Sequence, residues 1–134
     1  MMFVDASAIV AILTRESEAD ALADRLDAAT ECITSPIAVF EAALAICRKR
    51  RAGVAEARRA VGELLDMARV NVVAVTPADG DTALEAFVRY GKGQTHPAQL
   101  NLADCFAYAM AKNRAGSLLF KGEVFASTDL AGRR

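Results

Sequence analysis

Most of the composition signals that point to a function are missing from this chain. Its three cysteines, Cys32, Cys47 and Cys105, are odd in number, widely spaced and each next to an apolar residue, with no Cys-x-x-Cys pair and no Cys/His metal spacing. A disulfide scaffold and a thiolate zinc site are thereby excluded, and buried free thiols in a reducing compartment are the reading that remains. Histidine occurs once, at His96 beside Pro97, where a packing role in a loop is the plainer assignment. Charge is balanced, with 16 basic residues against 17 acidic ones and a net charge of −1, so any case for a nucleic-acid partner has to be local. No apolar run approaches the length of a membrane span and the first residues carry no basic leader, so the expectation is a soluble cytoplasmic protein without a membrane partner. Two phosphate-handling classes also fall away. A phosphoacceptor domain needs an aspartate after its central strand, where "NVVAVTP" has none, and a dehalogenase-type phosphatase needs Asp-x-Asp where this chain reads Asp5, Ala6, Ser7.

What the chain does contain reads as a single domain over residues 1–134, long enough to remove roughly two-thirds of its unfolded surface from water. Apolar residues make up 54% and alanine supplies many of them, which favours closely packed helices. Short β-branched or aromatic runs predict strands at residues 2–4, 32–34, 71–75 and 118–120. Helical stretches lie between them, and their starts carry recognisable caps. Ser35 precedes Pro36, Thr76 and Pro77 are followed by an acidic Asp79, and Asn101 is followed by Asp104. Gly53 separates two helices, Gly116 closes the one that starts near Leu102, and "YGKGQTHPAQ" is the one substantial loop. Alternating strands and helices imply an α/β fold, a short parallel sheet with helices on both faces in three layers.

Ligands in such a sheet bind outside the carboxyl ends of the strands. Asp5 follows the first strand, and Glu123 is expected at the same edge, just past the last one. Glu41 is the only charged residue in "PIAVFEAALAIC", on a helix that must be buried on most sides. A lone carboxylate there takes up a proton or needs a cation. Simpler readings stand beside these: Asp5 as a helix cap, Asp104 as half of a capping box, Glu41 paired with Arg48, and Glu123 and Asp129 as exposed acids. Several carboxylates gathered at one edge would repel unless a divalent cation lay among them, and hard oxygen donors suit Mg²⁺ or Mn²⁺. Basic groups for gripping a phosphate backbone are Arg48 to Arg51, Lys92 and Lys121, although "RKRR" equally reads as a solvated helix end. The apolar "AIVAIL" suggests more surface than one small core absorbs, hence a partner.

"FVDASAIVAIL", "PIAVFEAALAI", "HPAQLNLADCFAYAMAK" and "LLFKGEVFASTDL", in that order, resemble the PIN-domain ribonucleases, and more narrowly the VapC toxins of type II toxin–antitoxin systems. The resemblance spans nearly the whole chain. It implies a PIN-like three-layer α/β/α fold and a metal-dependent endoribonuclease toxin. It also implies a homodimer, a small VapB-type antitoxin at the active-site groove, and contact with DNA only through that antitoxin. Carried across by motif, Asp5, Glu41 and Asp104 fall on the acidic metal-site positions, Ser7 on the hydroxyl residue after the first of them, and Thr128 and Asp129 on the flanking "TD" pair. The chain departs from the family at Val124, where a fourth acid usually precedes the phenylalanine, with Glu123 one residue early. The resemblance therefore leaves an alternative: a weakened module that binds RNA or antitoxin and cuts poorly, unless Glu123 or Asp129 compensates.

Overall fold

The computed structural model describes residues 1–131. The elements run β1 (Met2–Val4), α1 (Ala6–Leu13), α2 (Ala19–Ala28), β2 (Cys32–Thr34), α3 (Pro36–Arg50), α4 (Val54–Met67), β3 (Val70–Val72), α5 (Pro77–Tyr90), α6 (Leu102–Met110) and β4 (Leu118–Leu119). A π-helical turn, Ala111–Ala115, extends α6. All strand pairs are parallel, in the order β3-β2-β1-β4, and helices cover the sheet to give the three-layer α/β/α arrangement.

Register follows from burial. Every residue of β1 and β2 is buried, as expected for central strands of a parallel sheet covered on both faces, which need apolar residues on each side instead of alternation. Phe3 lies opposite Ile33 on one side and Leu118 on the other. β3 is shorter than the sequence suggested and ends at Val72 instead of residue 75. Its partner β2 offers only three residues before Ser35 turns the chain into α3, and one further bond, from Val73 N–H to the Thr34 carbonyl, closes the ladder. β4 likewise ends one residue early, at Leu119. Phe120 instead packs edge-to-face on Phe125, ring centroids 5.2 Å apart.

The capping chemistry forms as the sequence predicts. Ser35 accepts from Ala38 N–H at 3.1 Å, and both Thr76–Asp79 and Asn101–Asp104 form reciprocal capping boxes. Gly116 ends the α6 extension at φ 80, a conformation costly for other residues. One expectation is overturned. The apolar residues of α1 are not surplus surface: Ala8, Ile9, Val10 and Ala11 are buried, and Ile12 and Leu13 pack against the core. Large exposed apolar side chains instead include Leu84, Phe87 and Val88 on α5 and Leu102 at the start of α6. Leu84, Phe87 and Leu102, together with Cys105 and Phe106, edge a groove of about 710 Å³. Cys32, Cys47 and Cys105 are free thiols, two of them buried.

Candidate active site

The strand order fixes where a site can form. From β1 the chain steps outward through β2 to β3, then returns to add β4 on the other side of β1. At that reversal the segments leaving the carboxyl ends of β1 and β4 diverge and open a crevice. Asp5 follows β1 directly, is 4% exposed, and caps α1: its Oδ2 accepts from Ser7 N–H at 3.0 Å and from the Ser7 hydroxyl at 2.6 Å. Ser7 Oγ in turn accepts from Lys121 N–H at 3.0 Å, joining the two strand exits. Glu41 enters from α3, and Asp104 from the first turn of α6, where its Oδ2 accepts from Asn101 N–H at 3.0 Å.

Asp5, Glu41 and Asp104 line one hollow of about 290 Å³, together with Ser7, Glu16, Arg48, Lys49 and Lys121. The capping roles of Asp5 and Asp104 are therefore real and coexist with a shared site. Electrostatics mark the three acids as poorly compensated. Burial raises the Asp5 carboxyl above its ordinary value, against the pull of Ser7. Burial first, then Asp5 and Asp104, push Glu41 up to about 7, with Arg48 pulling the other way. The two do not form a salt bridge. Burial likewise dominates for Asp104, pushed up to about 6, with Asp5 adding to it while the Asn101 N–H and Lys92 oppose it.

Such a donor set fits a hard divalent cation. The polar side chains that line the hollow are oxygen donors and basic groups, set among Ala6, Val10 and Ala45, with no histidine or cysteine, and its acids repel one another. As the side chains stand, no three His, Cys, Asp or Glu residues among those described are close enough to form a finished metal shell, so binding requires at least one carboxylate to swing inward. Glu41, on a long flexible arm, has the most freedom to do so.

The remaining sequence candidates divide. Lys121 lines the hollow, and Lys92 is near enough to Asp104 to act on its charge. Glu123 does not reach the hollow; it is exposed and faces a separate depression with Glu18 and Arg25. Val124 is 38% exposed and lies outside the hollow as well. Thr128 donates to the Phe125 carbonyl at 2.8 Å and shapes a turn. Asp129 accepts from Tyr108 at 2.6 Å and pairs with Lys112, away from the three acids. "RKRR" splits: Arg48 and Lys49 line the hollow, Arg50 donates to the Leu13 carbonyl, and Arg51 ends α3 at φ 51. His96 packs edge-to-face on Tyr90, centroids 4.7 Å apart. Sequence reasoning missed Glu16, which carries no motif and reaches the hollow only because α1 ends where it does.

The PIN domain family model matches residues 2–130. A VapC ribonuclease of Rhizobium meliloti strain 1021 is 41% identical, with 97% of this chain and 99% of the relative covered. Ribonuclease VapC of Mycolicibacterium smegmatis is 42% identical over 97% and 98% respectively. Among solved structures, Mycobacterium tuberculosis VapC20, described as a sarcin-ricin loop cleaving toxin, superposes with a TM-score of 0.73 over 97% of this chain and 96% of that one. At 19% identity that likeness speaks for the fold alone. On the family match and the full-length relatives, the chain belongs to the PIN-domain family, among its VapC ribonucleases.

Proposed function

We propose that this VapC-family endoribonuclease is the toxin of a type II module and hydrolyses RNA phosphodiester bonds with Asp5, Glu41 and Asp104 arranged around Mg²⁺ or Mn²⁺. The observation that carries the site assignment is the meeting of these three carboxylates, from β1, α3 and α6, in one hollow free of softer ligands. Asp5 and Asp104 are the principal ligands, each already oriented by its capping hydrogen bonds, and Glu41 completes the set directly or through water. A bound divalent cation supplies an acidified water at neutral pH and offsets charge on the phosphate. Ser7 keeps the Asp5 carboxylate turned toward the hollow. Arg48, Lys49 and Lys121 meet the RNA backbone at its rim.

The partners that fit this reading are RNA, a small VapB-type antitoxin covering the groove, and a second copy of the chain, with DNA reached only through the antitoxin. The second copy is assigned to the apolar strip on α5 and α6. No helix among the described residues is long and apolar enough to cross a membrane. The test is cleavage of an RNA pool by purified protein with EDTA, Mg²⁺ or Mn²⁺. Losing a ligand removes several kcal/mol of charge stabilisation, so Asp5→Asn and Asp104→Asn should each lower metal-dependent cleavage by about a hundredfold or more with an unchanged circular dichroism spectrum. Undiminished cleavage by either variant refutes the assignment.

A further inference from the structure

Glu16 stands on the rim of the hollow just beyond α1, and the three acids below give no reason for a fourth. Its two oxygens are divided between two lysines: Oε1 accepts from Lys121 Nζ at 2.7 Å, and Oε2 lies 3.5 Å from Lys49 Nζ and 3.1 Å from the Thr14 hydroxyl. Lys121 is thus fixed at both ends, its main chain by Ser7 and so by Asp5, its ammonium by Glu16. Lys49 arrives from α3 and Lys121 from the segment just after β4, so Glu16 ties together cations from elements far apart in the chain. Part-exposed ion pairs of this kind add little to stability, which leaves the convergence at the mouth unexplained by folding alone. Glu18 Oε2 also stands 3.9 Å from the Lys121 ammonium, beyond hydrogen-bond reach, so the one hydrogen bond to Glu16 leaves two of its three donors for a phosphate.

We infer that Glu16 is a positioning residue that holds the Lys121 and Lys49 ammonium groups where they grip RNA phosphates flanking the bond to be cut. This rests on the RNA-hydrolysis reading above. A simple counter-charge would act with the opposite sign: removing it would leave the rim one charge more positive and tighten RNA binding. Positioning predicts weaker binding despite that gain.

The experiment is filter binding of a mixed-sequence single-stranded RNA in Mg²⁺ at 4 °C, on a time short against cleavage, followed by single-turnover cleavage at 25 °C. E16Q should raise Kd about tenfold, as should K121M, and the double variant should fall short of the product of the two. Melting temperature and its Mg²⁺-induced shift should match wild type, separating a grip defect from a folding one. Equal or tighter binding by E16Q, or fully multiplicative effects, overturns the inference. If wild type binds RNA and E16Q weakens it while neither cuts, the Glu16 assignment stands and the hydrolysis reading fails. RNA bound by neither protein overturns both.

Discussion

Glu41 shows how one residue can be costly to the fold and yet suit the proposed metal site. It titrates near 4.5 in an unfolded chain and near 7 here, chiefly because it is buried and then because Asp5 and Asp104 share its hollow. Asp104 moves the same way, from 3.8 to about 6. Between those values the folded protein binds more protons than the unfolded chain, so stability falls as pH rises, and the cost is complete above about pH 7. Metal-free protein should therefore melt higher at pH 5 than at pH 8 in scanning calorimetry. At pH 8 in EDTA, Glu41→Gln should melt above wild type, each kcal/mol regained raising the midpoint by roughly 4 °C, and the gap should close by pH 5. Mg²⁺ should stabilise wild type more at pH 8 than at pH 5, since protons compete for the same oxygens. A midpoint insensitive to pH in this range would remove the basis for treating the acids as uncompensated. The lone charge in an apolar helix was visible in the sequence. The fate of Glu123 was not, because Gly122, at φ 102, turns the chain after Lys121 and carries the next side chains away from the hollow. For the same reason Val124→Asp should leave single-turnover cleavage within about threefold of wild type; a rise of an order of magnitude would mean that position 124 serves the site after all.

Among the elements, α5 and the π-helical turn after α6 are joined through Asp79. The start of α5 was legible, since Thr76, Pro77 and an acidic third residue spell a capping box. The second use of Asp79 was hidden, because it depends on a helix that widens at residues 111–115 and swings Asn113 and Arg114 onto it. Nothing in "AKNRA" marks that widening. Asp79 is buried, and burial pulls its carboxyl up. The Thr76 N–H and hydroxyl, Asn113 and Arg114 outweigh that pull, so it titrates below its usual 3.8. Its contribution is thus present at neutral pH and lost as acid takes the pH below that value. Asp79→Ala strands the Arg114 guanidinium, one of whose nitrogens is already buried without a partner, and should cost about 3 kcal/mol. The expected result is a midpoint lower by roughly 10 °C with per-molecule cleavage at 25 °C unchanged, because Asp79 lies outside the hollow. A stable variant that cuts poorly would instead tie this junction to the chemistry.

At the scale of the molecule, alternation of short apolar strands with capped helices was enough to read a parallel three-layer fold, because central strands buried on both faces leave few other topologies. Which face stays uncovered was not legible. "AIVAIL" looks surplus as a string yet is absorbed by the core, whereas α5 has an ordinary mixed composition and exposes Leu84 at 68% and Val88 at 73%. Those two are one helical turn apart, Phe87 lies beside them, and Leu102, 71% exposed, continues the strip across to α6. With a net charge of only −1, long-range repulsion between copies is weak, so burying this strip meets little electrostatic resistance. We propose a homodimer through α5 and α6. Sedimentation at micromolar concentration should show a dimer for wild type and a monomer for the doubly charged variant Leu84→Glu with Val88→Glu. Both positions are solvent-facing in the single chain, so the variant should keep its fold, and the acid hollow, on the other side of α6, should keep its affinity for Mg²⁺. A wild-type monomer would leave the strip to the antitoxin, and a variant that stays dimeric would move the interface elsewhere on the surface.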